Sequence, residues 1–288
     1  MPSVPSIRGY YINLDRAEER RKSMELQLEK YGLSENYARF PAIDGKAFPK
    51  REGGRLLSDG EVAIFRSHRD VLSQSAHAGA YVHVLEDDAV LSALLKPFLG
   101  NALKLGLFSI FDVVFLDFIV APDLYQIGLL RAASTKAFSK TLPERAPSDF
   151  AIIDGELVYF LGASSYIVNP DALRRLLKAF EAEWDAGVKL PVDHLFRREI
   201  RAGRLRAGCA LPFVTTVGIA EAVATQSGRR DDPDLAVALA LLRQSFFVER
   251  DLPHLVRQAD DLIAKNAAGG PRDQHNELIY KLAAHFTR

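Results

Sequence analysis

The sequence predicts an α/β fold: a mostly parallel sheet flanked by helices, followed by a C-terminal helical appendage. Three observations predict it. Short apolar runs at Tyr10–Leu14, Tyr81–Leu85 and Phe111–Leu116 have the length and composition of buried strands. Amphipathic stretches with helix-start signals separate them, and such alternation favours parallel pairing through crossover helices. Beyond Arg229, strand-like runs cease and only helical periodicity continues.

Taken in order, Asp15 with Glu18 reads as a capping box opening a helix to about Tyr31, where Gly32 stops it. Ala17, Met24, Leu28 and Tyr31 form its apolar stripe. Arg39–Ile43 reads as extended and Asp44-Gly45 as a turn. A second capping box, Ser58 with Glu61, opens a helix whose Val62, Phe65, Leu72 and Ala76 share a face. After the strand at 81–85, a helical segment near Leu91–Phe108 leads to the strand at 111–116. Ala121–Gly155 shows no sustained period and holds Pro122, Pro143 and Pro147, so it reads as loops with a hairpin over the site. Glu156–Leu161 resumes strand character. Asn169 caps a helix with Pro170 at its first position and Leu173, Leu176, Leu177, Phe180 and Trp184 as its stripe. A short helix follows Leu190–Asp193, and Cys209–Val217 forms a last strand. The division is therefore a main domain over 1–228 and a helical appendage over 229–288. Leu235, Leu239, Leu242 and Phe246 share one face of the appendage, and Gly269-Gly270-Pro271 separates its last two segments.

Composition narrows the function. Hydrophobic residues make up 48% of the 288 and charged residues 26%, enough for a large core in a globular chain. Lys plus Arg and Asp plus Glu number 37 each, so no net positive charge points to nucleic acid. One cysteine, Cys209, rules out an internal disulfide and a cysteine-rich zinc site, and suits a reducing compartment. Met1–Gly9 lacks the apolar run of a signal peptide, and no stretch approaches the roughly 18 apolar residues of a membrane span. A cytoplasmic protein is expected, with peripheral contact at the inner membrane face left open.

The chemistry centres on Glu86-Asp87-Asp88, directly after the strand at 81–85. In open α/β sheets ligands gather beyond the carboxyl ends of strands. Three adjacent carboxylates repel one another, and burial sharpens the repulsion; a divalent cation relieves it. Oxygen ligands favour Mg²⁺ or Mn²⁺, commonly held by one or two carboxylates plus a diphosphate. The plainer reading is a solvated acidic turn.

Further motifs accompany the triplet in order: Tyr11-Ile12-Asn13-Leu14-Asp15-Arg16 with Arg20, Ala42-Ile43-Asp44-Gly45, Leu57-Ser58-Asp59-Gly60-Glu61-Val62, and Ser67-His68. Gly162–Val168, Val192-Asp193 and Ala224-Thr225-Gln226-Ser227 come later. Over about residues 8–228 the chain resembles glycosyltransferase family 25, which includes bacterial lipooligosaccharide and collagen galactosyltransferases. It departs at Ala63–Arg66, where the family often has small residues. The resemblance implies a GT-A fold, a Rossmann-like sheet carrying an Asp-X-Asp-type metal motif. It also implies an inverting hexosyltransferase, with UDP-galactose as donor and an oligosaccharide or lipid-linked surface glycan as acceptor.

On that resemblance Asp88 is the metal ligand, while Glu86 and Asp87 face the donor or orient the site. Asp193 is the candidate general base, or a helix cap. Asn13 and Arg16 are candidates for the nucleotide, with Asp15 beside them also an N-cap. Glu61 lies seven residues from His68 on one helix face; each is a donor-pocket candidate with a structural alternative, as a capping-box member and a core histidine. Gln226 is a donor-side candidate or a loop amide. Two other readings stay open. A nucleotidyltransferase would carry a glycine-rich loop after the first strand, which Tyr11–Leu14 lacks. A non-catalytic nucleotide- or glycan-binding scaffold would retain the fold without the chemistry.

Overall fold

The structure, a computed structural model, describes residues 6–48, 57–76, 79–219, 221 and 233–267. Its strands are β1 (Ile7–Asn13), β2 (Tyr37–Pro41), β3 (Tyr81–Glu86), β4 (Ala89–Leu91), β5 (Val113–Phe115) and β6 (Ile119–Val120), then β7 (Ala151–Asp154), β8 (Phe160–Leu161), β9 (Ser165–Val168), β10 (Ala207–Leu211) and β11 (Thr215–Val217). Seven of them form one sheet in the order β2-β1-β3-β9-β5-β10-β7. β1 runs parallel to β2 and β3, and β5 parallel to β10, while β9 and β7 run against their neighbours. The mixed α/β architecture with a mostly parallel sheet is the predicted one. Two small antiparallel pairs, β4–β11 and β6–β8, stand apart from it.

The helices are α1 (Glu18–Lys30), α2 (Asp59–Ser75), α3 (Leu95–Lys104), α4 (Leu107–Ile110), α5 (Leu124–Phe138), α6 (Pro170–Asp185), α7 (Val192–Arg201), α8 (Pro233–Ser245) and α9 (Leu252–Ala267). Strand alternation sorts the core into two layers. Val82, Val84, Phe115, Tyr166 and Val168 face Phe65, Leu72, Leu176, Phe180 and Phe196 of α2, α6 and α7. Leu85, Val114 and Ile167 point the other way, onto Met24 and Leu28 of α1 and Leu95 and Phe98 of α3. Apolar runs without polar alternation are what a sheet covered on both faces requires.

Four sequence expectations are corrected. α1 starts at Glu18 after Ala17, with no side-chain cap; Asp15 is drawn away by an ion pair with Arg39. Within Ala121–Gly155 lies α5, capped by Asp123, whose carboxylate accepts from Gln126 N. Its buried face carries Gln126 and Ser134 among Ile127, Leu130 and Ala137, and those two polar residues hide the period. Glu156–Leu161 holds a short 3-10 turn capped by Asp154, and only Phe160–Leu161 is strand. The run Cys209–Val217 is two strands, because Pro212 has no N–H for the ladder and β11 leaves to pair with β4.

α8 is bound into the main body. Leu242 and Phe246 join the larger core layer. Phe213 N donates to Phe246 O (2.8 Å) and Val248 N to Phe213 O (2.9 Å). The expected division at 228/229 and the break at Gly269-Gly270-Pro271 lie outside the described residues.

Candidate active site

β3 is buried between β1 and β9, and its carboxyl end delivers Glu86. Glu86 N donates to Ser164 O at 2.8 Å, so the residues leading into antiparallel β9 arrive at the same sheet end. The chain then turns at Asp87-Asp88 into β4, which peels away from the sheet. Space opens where the strand departs: a cavity of about 460 Å³, walled by Glu86, Asp87, Asp88, α1, α2, the Leu161–Ser164 segment, the start of α7, and α8.

The three carboxylates of the triplet occupy different electrostatic positions. Asp87 is satisfied: Asn13 Nδ2 donates to its Oδ2 at 2.7 Å and Arg20 Nη1 to its Oδ1 at 3.2 Å. Burial nevertheless keeps its carboxyl above the ordinary range. Glu86 Oε1 lies 3.4 Å from His68 Nε2, an ion-pair distance rather than a close hydrogen bond. Burial pushes Glu86 up, but His68, Arg243 and Arg20 outweigh it and hold the carboxyl below its usual value. For Asp88, Arg20 and Arg243 offset only part of the cost. Asp88 Oδ1 is buried without a hydrogen-bond partner. Burial, then repulsion from Glu86, raise its carboxyl to about 7. A buried lone pair left open is costly in a fold unless something fills it.

The other expected residues fall into two groups. His68, Glu61 and Asp193 line the cavity. His68 is also a core histidine, its Nδ1 2.9 Å from Tyr166 OH. Glu61 completes the capping box with Ser58, accepting from Ser58 N at 2.7 Å. Asp193 is not the helix cap, because α7 begins at Val192 with Pro191 in the cap position. Its Oδ2 accepts from Gly162 N at 2.8 Å and its Oδ1 from His194 N at 2.9 Å, which fixes the carboxylate across the cavity wall.

Asn13, Asp15 and Arg16 do not line the cavity. Asn13 is buried one step behind it, orienting Asp87 and accepting from Arg39 Nε at 2.9 Å. Asp15 is exposed and paired with Arg39, and Arg16 is paired with Asp44. Gln226 lies outside the described residues.

Sequence reading missed a buried trio at the same sheet end: Asp117, Ser164 and Arg243. Asp117 Oδ1 accepts from Ser164 Oγ at 2.8 Å, and Arg243 Nη2 donates to Asp117 Oδ2 and Ser164 Oγ. Two signals were available. Asp117 closes the apolar run at 111–116 much as Glu86 closes the one at 81–85, and Arg243 interrupts the stripe formed by Leu239, Leu242 and Phe246.

A sequence profile described as glycosyltransferase family 25 (LPS biosynthesis protein) matches residues 7–196, well over half of the chain. The chain belongs to glycosyltransferase family 25. Membership makes it a glycosyltransferase, working with a sugar donor and a glycan acceptor, in a family tied to lipopolysaccharide biosynthesis. No curated protein matches the chain. The span matched to family 25 includes the acidic triplet, His68 and Asp193, whereas Arg243 and the rest of α8 lie beyond it. Among the described residues, no helix of this glycosyltransferase is long and apolar enough to cross a membrane.

Proposed function

We propose that this glycosyltransferase transfers a hexose, galactose, from a UDP-sugar to a hydroxyl of a surface glycan such as lipopolysaccharide. Inversion at the sugar carbon accompanies the transfer, and a divalent cation, Mn²⁺ or Mg²⁺, is held at Asp88. The observation that carries this reading is the unpartnered buried Oδ1 of Asp88, beside two acids already engaged. Among the described residues no group of three His, Cys, Asp or Glu stands ready to hold a metal. Asp88 would hold such a cation by its carboxylate, as Mg²⁺-type sites that also bind phosphate commonly do with one or two carboxylates. Such a cation, when bound, offsets the charge that develops on the departing nucleoside diphosphate.

Asp193 supplies the base. The acceptor hydroxyl gives its proton to the Asp193 carboxylate as its oxygen bonds to the sugar carbon. The bond from that carbon to the diphosphate breaks, and UDP leaves with the electron pair. Hydrogen bonds from Gly162 N and His194 N hold the carboxylate in place for this step. Galactose and UDP come from the family resemblance; a lipid-linked acceptor is met at the cytoplasmic face of the inner membrane.

The test is a panel of nucleotide sugars incubated with the protein, Mn²⁺ or EDTA, and lipooligosaccharide acceptors, scoring the nucleotide released and the glycan formed. UDP release from a UDP-hexose, abolished by EDTA, is the expected result. Pyrophosphate release would mean nucleotidyl transfer instead, and a folded protein that turns over no donor would mean a scaffold.

A further inference from the structure

We propose that Arg243, from helix α8, is a substrate-contacting residue that binds the diphosphate of the nucleotide donor as it becomes the leaving group. This rests on the donor site proposed above and adds to it a residue outside the family-matched span. The side chain is only 7% exposed and still lines the cavity. Its Nη2 is engaged by Asp117 and Ser164, but its Nε is buried without a partner. A guanidinium carries five N–H donors in a rigid fork, so a single carboxylate and a hydroxyl leave it under-used.

Charge at the cavity points the same way. Among the described residues, five carboxylates line it (Glu61, Glu86, Asp87, Asp88 and Asp193) against two guanidiniums, Arg20 and Arg243. Arg20 is spent partly on Asp87 and is 29% exposed, so water meets its other donors, whereas the Nε of Arg243 is buried with no partner. A diphosphate entering this acidic wall needs cations, and Arg243 has donor capacity left to meet it. With Nη2 held by Asp117 and Ser164, the Nε–H and the Nη1 N–H groups are the donors left for phosphate oxygens. Position is secured from behind: Gln244 Nε2 donates to Val217 O at 2.9 Å, and the Phe213–Phe246 and Phe213–Val248 backbone bonds pin the end of α8. The competing role is that of a buried counter-ion for Asp117 and nothing more.

Calorimetric titration with UDP, UMP and uridine separates the two roles, using the full chain with Mn²⁺ present. Arg243→Gln is expected to weaken UDP by about tenfold or more, as for loss of a hydrogen bond to a charged group, and to leave uridine unchanged. Arg243→Lys is expected to recover part of the UDP loss. If Arg243→Gln does not fold, the double variant Arg243→Met with Asp117→Leu removes both charges of the pair and gives the same readout. Retention of the full UDP-over-uridine preference in the variant, or equal loss for all three ligands, overturns the proposal. Wild-type protein that binds UDP no better than uridine overturns the donor site itself, and this inference with it.

Discussion

Replacing Asp88 with asparagine is expected to stabilise the metal-free protein above pH 7 while removing its metal response. The carboxyl is pushed to about 7 by burial and then by Glu86, with Asp87 adding to the repulsion and Arg20 and Arg243 only partly offsetting it. In an unfolded chain an aspartate titrates near ~3.9. Between those two values the unfolded chain gives up its proton and the folded one keeps it. Stability therefore falls as pH rises through this window and levels off above pH 7. About three pH units at ~1.4 kcal/mol each set a ceiling of roughly 4 kcal/mol. The part-open cavity and the charge shared with Glu86 bring the expected gain for Asp88→Asn to about 1–2 kcal/mol. For a chain of this size that is roughly 2–8 °C in Tm. Thermal melts in EDTA at pH 4, 6 and 8 measure it: no difference at pH 4, a growing one at 6, the full one at 8. Adding Mn²⁺ in the presence of UDP should raise the wild-type Tm and leave that of the variant unchanged. An Asp88→Asn protein less stable than wild type at pH 8 would refute the reasoning, because it would show Asp88 to be a satisfied structural residue.

Other perturbations test separate parts of the structure. Asp193→Asn should lower kcat for transfer by about 10²–10⁴-fold with UDP affinity unchanged; a parallel loss of UDP binding would assign Asp193 to the donor pocket instead. Gly9→Ala should destabilise by about 1–3 kcal/mol in urea titration, because the added Cβ would lie 2.2 Å from the Tyr37 ring. Asp117→Ala should destabilise by roughly 3–5 kcal/mol by stranding the Arg243 charge, whereas a change below about 1 kcal/mol would show that water or another group relieves that charge.

Much of the sheet was legible because its strands are covered on both faces, leaving apolar runs such as Tyr81–Leu85, broken only by His83, whereas central β9 (Ser165–Val168) gave no strand signal of its own. Ser58–Glu61 and Asn169-Pro170 were equally legible, since capping is local chemistry and both caps form as read. Asp15 shows where local reading fails: a residue from the neighbouring strand, Arg39, outbids the helix terminus for its carboxylate. α5 was hidden because two of its buried positions hold Gln126 and Ser134, and Gln126 meets the Tyr159 backbone, 33 residues away. At the site, strand-end placement brought out the triplet and the family resemblance brought out Asp193. Only tertiary structure separates the engaged Asp87 from the open Asp88. Arg243 escaped notice because its partner Asp117 is 126 residues distant, and a charge inside an apolar stripe has no meaning until its counter-ion is found.

The most direct measurement of the central claim is calorimetric titration of UDP into wild-type and Asp88→Asn protein, each in Mn²⁺ and in EDTA. Binding that weakens by about tenfold or more on chelation in wild type, and that ignores the metal in the variant, is the expected result. Equal, metal-independent affinity in all four titrations would contradict a donor site built on Asp88.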